Sequence, residues 1–123
     1  EDRSITESIT SGFHEPTVKI LNEFSQAVKI KPHFYLRISY NLTYPNGFEK
    51  SGIHRDHDYD YKQIIIYLND MEDKESKTVV LKNKKIIKEI KPKQYKGVCF
   101  DKSEHFNYNP KVGKRLVLIG TFI

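Results

Sequence analysis

The sequence predicts a mainly β domain, a sandwich or jelly roll, led by one helix. Three observations predict it. Seven or eight short apolar or aromatic runs, punctuated by turn signals, lie between residues 34 and 123. The helical periodicity is confined to the segment before Pro32. No helical segments separate the β runs, which argues against a parallel α/β fold. A chain of 123 residues is enough for one domain and one core. The expected organisation is a single domain over 1–123, with a helix at about 16–29 and a β core over about 34–123.

Each element has a local reason. Pro16 suits a first helical turn, and Val18, Leu21 and Phe24, then Ala27 or Val28, recur at three- and four-residue spacing. Pro32 disfavours helix in the residue ahead of it. Phe34 to Tyr40 is aromatic and β-branched, and Tyr44-Pro45-Asn46-Gly47 is a turn. Ile53 to Asp56 is short and extended, and Gln63 to Leu68 reads as a buried strand. Thr78 to Leu81 and Ile86 to Ile90 flank the turn-prone Asn83-Lys84. Gly97 to Phe100, a segment through His105, and Arg115 to Ile123 complete the set.

Composition narrows the class. One cysteine, Cys99, excludes an internal disulfide framework and a zinc-finger cysteine cluster; between Val98 and Phe100 it reads as a buried core thiol. No apolar run approaches the roughly 20 residues of a membrane helix, so no membrane partner is expected. No basic-then-apolar leader opens the chain, and the expected location is cytoplasmic. The sequon Asn41-Leu42-Thr43 is then inert, and His14 and His33 need no special role.

The net charge of +5 rests on 17 lysines and only 4 arginines. Nine of the lysines, against two glutamates, fall between Lys74 and Lys96. That stretch carries one aromatic, Tyr95, whereas single-strand binders interleave stacking aromatics, so a nucleic-acid partner is not expected. Lysines on a hairpin also keep a sheet edge from pairing with other chains.

The stretch Gly52-Ile53-His54-Arg55-Asp56-His57-Asp58 carries the chemistry. On an extended strand His54 and Asp56 point to one face. His105 supplies a second imidazole, 51 residues after His54. Two His and one carboxylate, with open positions, suit non-haem Fe(II) better than a closed structural zinc shell. His57 and Asp58 are an alternative pair; Ile53 leading into a strand end favours His54 and Asp56. The acidic alternation through Asp58 and Asp60 reads as a solvated loop. Ten residues past His105, Arg115 sits in the apolar strand Gly113-Lys114-Arg115-Leu116-Val117-Leu118-Ile119. A charge there is costly unless paired, and the guanidinium fork matches a carboxylate; a local acid on an edge strand would serve as well.

These motifs together resemble the Fe(II)- and 2-oxoglutarate-dependent oxygenases, nearest to the prolyl-hydroxylase-like group. The resemblance runs from about Tyr35 to Ile123. It takes in the HxD of His54 and Asp56, the strand Ile64-Ile65-Ile66-Tyr67-Leu68-Asn69, the Gly97-Val98-Cys99-Phe100 strand, and His105, Pro110, Gly113 and Arg115 in order. It implies a double-stranded β-helix (jelly roll) with the leading helix. It also implies Fe(II) on His54, Asp56 and His105, and 2-oxoglutarate with its distal carboxylate on Arg115 and Tyr67. Tyr44 takes the place of an earlier cosubstrate tyrosine, with Tyr40 in a shifted register. The implied activity is hydroxylation of an unactivated C–H bond with O2, releasing succinate and CO2, with ascorbate admitted as an accessory. The implied substrate is a protein side chain such as proline, or a small molecule.

The chain departs from the pattern at Ser76-Lys77-Thr78, where the family often has Gly-Gly-x-Thr at the substrate entrance. Two other classes compete with the hydroxylase: a non-catalytic jelly-roll binding module and a cupin-like metal protein without 2-oxoglutarate. Retention of all three ligands speaks against the first, and Arg115 against the second. Oligomeric state is not written in the sequence.

Overall fold

The computed structural model describes residues 12–123, in two compact units divided between Pro32 and His33. The first carries helix α1, His14–Ala27, with Glu15 in its first turn, where a carboxylate faces the positive end of the helix dipole. The helix ends two residues earlier than expected. Lys29 takes a left-handed φ of 61°, and the Lys29 and Ile30 amides fold back onto the Gln26 and Ser25 carbonyls. That cap stops the helix before Pro32 can. The buried row is Thr17, Leu21 and Ser25, while Val18 and Phe24 are half-buried and Ala27 and Val28 exposed. Ser25 can be buried because its hydroxyl donates to the Leu21 carbonyl at 2.7 Å.

The second unit holds seven strands. They are β1 (Tyr35–Thr43), β2 (Lys62–Tyr67), β3 (Thr78–Lys82), β4 (Lys85–Ile90), β5 (Gly97–Asp101), β6 (Glu104–Asn107) and β7 (Arg115–Phe122). All pairings are antiparallel: one sheet has the order β1-β7-β2-β5, the other β4-β3-β6. The two sheets share one core. Ile65, Tyr67, Val98, Phe100, Val117 and Ile119 from the first meet Val80 and Ile90 from the second, with Met71. Successive strand residues alternate faces, so Gln63 shares the inward face of Ile65 and Tyr67, and Arg115 and Thr121 share that of Val117 and Ile119. Ile64 and Leu118, on the other face, are also fully buried. This double burial explains why β2 reads as an unbroken apolar run.

Between Pro45 and Lys62 the chain forms no regular strand, only two bridges, Lys50 to Tyr108 and His54 to His105. Ser51 reinforces the track: its amide donates to the Asn107 carbonyl, and its hydroxyl accepts from the Asn107 amide. Residues 50–54 thus run beside β6. Ile53 is 52% exposed and does not enter a core. Cys99 is only half-buried, a correction to the core thiol expected from its neighbours. Val98 and Phe100 take the inward face, so Cys99 must take the other. No helix among the described residues is long and apolar enough to cross a membrane.

Candidate metal centre

His54 and His105 are brought face to face by their bridge, each amide donating to the other's carbonyl at 3.1 and 2.9 Å. Their rings lie 4.4 Å apart between centroids. Asp56 completes the group: its Oδ1 is 3.4 Å from His54 Nε2 and 3.8 Å from His105 Nε2. Among the described residues this is the one trio of metal-ligating side chains, with all three donor atoms within 4.8 Å of one another. Both Asp56–His separations are long for hydrogen bonds.

The surroundings orient the donors. His54 Nδ1 lies 2.8 Å from the Gly52 carbonyl and His105 Nδ1 3.3 Å from that of Ser103. A ring nitrogen that donates to a carbonyl leaves Nε2 as the lone-pair donor, the usual outer-shell arrangement of a metal-bound imidazole. Arg37 Nη2 reaches the second Asp56 oxygen at 3.4 Å, and the Asp56 amide donates to the Tyr61 hydroxyl at 2.9 Å. Burial pushes the Asp56 carboxyl upward, but the His54 contact and the His105 and Arg37 charges together hold it below its ordinary value. The contact with the Asp56 carboxylate raises His54, against its burial. Burial, with the neighbouring His54, pushes His105 down. One donor is therefore ionised and one imidazole kept neutral, the states a divalent cation needs.

His57 does not join the trio. Its Nε2 meets the Thr121 hydroxyl at 2.9 Å, and its ring stacks on Tyr59 at 4.9 Å and meets the edge of Tyr61. The structure therefore gathers His54 and Asp56 rather than His57 and Asp58.

A second polar group forms where β7 begins. Arg115 is 4% exposed, and among the described residues it has no carboxylate partner. Its Nη2 donates to the Thr78 hydroxyl at 3.2 Å, its guanidinium carbon lies 5.6 Å from the Tyr67 ring centroid, and its Nε has no partner. Tyr67 and Thr78 join their hydroxyls at 2.6 Å, and Tyr67 also donates to the Ile90 carbonyl. Burial draws the Arg115 pKa down while Tyr67 works the other way; arginine stays a cation throughout. A buried cation with an orphaned N–H and hydroxyls at its side has the charge and donors that could hold a carboxylate. Asn69 braces it, donating to the Lys114 carbonyl and accepting from the Leu116 amide on either side of Arg115.

Tyr44 stands apart. It is 58% exposed and lines a surface cleft with Asn69, Asp70, Glu72, Gly113 and Lys114. No hydrogen bond or ion pair links it to the trio or to Arg115 among the described residues. Tyr40, its alternative, is 45% exposed on β1.

Two residues of the site were not legible beforehand: Arg37, and Thr78 in its contact with Arg115. Gln63 is fully buried on the inward face, and neither amide atom has a partner. Each unpaired buried atom costs about 1–3 kcal/mol. The only advance signal for Gln63 was a polar residue opening an otherwise apolar strand.

No protein-family model matches the chain, and no curated protein matches it.

Proposed function

We propose that this protein is an Fe(II)- and 2-oxoglutarate-dependent dioxygenase, acting in the cytoplasm on a C–H bond of a protein side chain such as proline. The observation that carries the reading is the presence of two polar groups in one β unit: a His-Asp-His trio, and a buried Arg115 whose charge no described acid answers. The strand order supports a double-stranded β-helix. If residues 50–54 count as a fourth strand beside β6, two four-stranded sheets result.

His54, Asp56 and His105 would hold the ion through Nε2, a carboxylate oxygen and Nε2. Arg115 and the Tyr67–Thr78 hydroxyl pair would take the distal carboxylate of 2-oxoglutarate. When bound, iron and 2-oxoglutarate supply the hydroxylation of C–H by O2, with succinate and CO2 released. The chain's own part is placement. The backbone carbonyls of Gly52 and Ser103 fix which imidazole nitrogen faces the ion. Arg37 faces the Asp56 carboxylate, and the Tyr61 hydroxyl fixes the Asp56 backbone by accepting from its amide. The core formed by Ile65, Val98, Val117 and Ile119 keeps water from the interior between the sheets.

Succinate formation from 2-oxoglutarate tests the reading. It should require Fe(II) and be abolished in His105→Ala. Metal binding without any succinate, coupled or uncoupled, would instead mark a binding module, and full turnover by His105→Ala would remove the trio from the chemistry.

A further inference from the structure

We infer that the free edge of β4 docks an acidic, extended segment of a partner polypeptide, which adds to the smaller sheet as a further strand. The inference goes beyond the dioxygenase reading and does not depend on it. β4 pairs along one side only, with β3; among the described residues no strand pairs with its other side. The amides and carbonyls of an edge are a template for another strand. From Lys82 to Glu89, turn included, every residue is exposed.

The charge on this hairpin is unanswered. Lys82, Lys84, Lys85 and Lys88 fall within seven residues that contain no acid. The two glutamates between Lys74 and Lys96 are engaged elsewhere, Glu89 with Lys77 at 3.0 Å and Glu75 with Lys91 at 3.8 Å. Among the described residues none of the four lysines has an acidic partner. Lys82 and Lys85 stand directly opposite each other across the hairpin, where like charges repel. Between the lysines, Ile86 and Ile87 are 57% and 55% exposed. Lysines by themselves keep an edge from pairing, whereas two bare isoleucines on an edge invite it. Together they make the edge selective. A second copy of β4 is turned away, because lysine would meet lysine. An acidic strand is accepted: its carboxylates meet the lysines and its other side chains cover the isoleucines. A lipid surface fits less well, because it offers the open amides and carbonyls no partner. Nucleic acid also fits less well, since residues 82–90 carry no aromatic to stack on a base and no arginine fork for a phosphate.

The experiment uses the full chain, as wild type and as Lys85→Glu/Lys88→Glu. The backbone amides of Ile86, Ile87 and Lys88 are followed by NMR and hydrogen exchange. The probes, titrated at low salt, are acetyl-Glu-Thr-Glu-Val-Glu-Thr-amide, the same peptide N-methylated at every residue, its lysine counterpart acetyl-Lys-Thr-Lys-Val-Lys-Thr-amide, and vesicles of phosphatidylserine and phosphatidylcholine. The acidic peptide should shift these amides and slow exchange along β4, and added salt should weaken it. N-methylation keeps the charges and removes the amide donors, and should weaken binding roughly tenfold. The double reversal should weaken the acidic peptide roughly tenfold and take up the lysine peptide instead. An N-methylated peptide that binds as well as its parent would reduce the site to charge alone and overturn strand addition. Vesicles that shift the β4 amides where the acidic peptide does not would make the partner a lipid surface. If the double variant fails to fold, the parent and N-methylated peptides on wild type decide alone. Amides that no probe moves would leave β4 a protected edge and sink the docking. No readout uses metal or 2-oxoglutarate, so the dioxygenase reading stands or falls separately.

Discussion

Arg115 is the residue on which the functional reading turns, because its placement is unfavourable for the empty fold. Burial without a counter-charge destabilises, and the Thr78 hydroxyl and Tyr67 ring only partly compensate. A bound carboxylate removes that deficit, so Arg115→Ala should act on the cosubstrate. The 2-oxoglutarate concentration for half-maximal succinate formation should rise on the order of 100-fold, with metal binding kept. An unchanged requirement would take Arg115 out of the site. The trio makes a second prediction, in pH. His54 is raised above 6.5 by Asp56, so near pH 6.5 it is mostly protonated, whereas Asp56 is already ionised and His105 already neutral. A metal must therefore displace about one proton there, and affinity should climb as pH rises through the His54 pKa. Calorimetry of Zn(II) binding in two buffers of different ionisation enthalpy counts that proton; a count of zero at pH 6.5 would exclude His54 as a ligand. The trio was legible because its residue types and spacing are themselves the signal. Arg37 was not, because what it touches depends on which strands become neighbours, and no local pattern states that.

At the scale of the element, the β3–β4 hairpin shows what local sequence can and cannot carry. Its turn residues Asn83 and Lys84 both adopt left-handed φ, 52° and 63°, the conformation of a two-residue hairpin turn. Asn tolerates that region and Lys does so at a cost, since a Cβ crowds the following carbonyl. Lys84→Gly should therefore stabilise the protein by about 1 kcal/mol, read as a higher denaturation midpoint with an unchanged slope. A lower midpoint would mean the Lys84 side chain makes a contact worth more than the turn strain. β4 is an edge strand, exposed from Lys85 to Glu89, so its lysines lie where they hinder strand pairing. Two glutamates temper the ribbon, Glu89 at 3.0 Å from Lys77 and Glu75 at 3.8 Å from Lys91. Turn chemistry revealed this hairpin in advance, and an unbroken apolar run revealed β2. The shifted helix end and the half-buried Cys99 were hidden, because a left-handed lysine cap and the choice of inward face are settled by the fold around them. The sequence predicts a short extended run from Ile53 to Asp56, and the structure gives it a single bridge, His54 to His105. Its alternation is polar, so little apolar burial reinforces its hydrogen bonds.

The whole molecule joins its parts by contacts distant in sequence, and the trio is one of them. His54 and His105 lie 51 residues apart and hold the 50–54 segment to β6 by two backbone hydrogen bonds. In the metal-free protein that junction also brings His54, raised, beside His105, lowered, so their protonation is opposed rather than cooperative. The signs follow from linkage. The contribution of His105 is full above its unfolded value of 6.5 and is lost as pH falls through its depressed folded value. That of His54 is full below 6.5 and is lost as pH rises through its raised folded value. No single pH satisfies both imidazoles, whereas a divalent cation bound to both in neutral form stabilises the junction outright. Zn(II) held at 100 times its dissociation constant should therefore add about 2.7 kcal/mol of stability, a rise of roughly 10 °C in Tm for a chain of this size. A chelator should reverse the rise, and His105→Ala should show little of it. If wild type and His105→Ala rose together, the ion would be binding elsewhere, and the link between 50–54 and β6 would rest on the His54–His105 and Ser51–Asn107 hydrogen bonds.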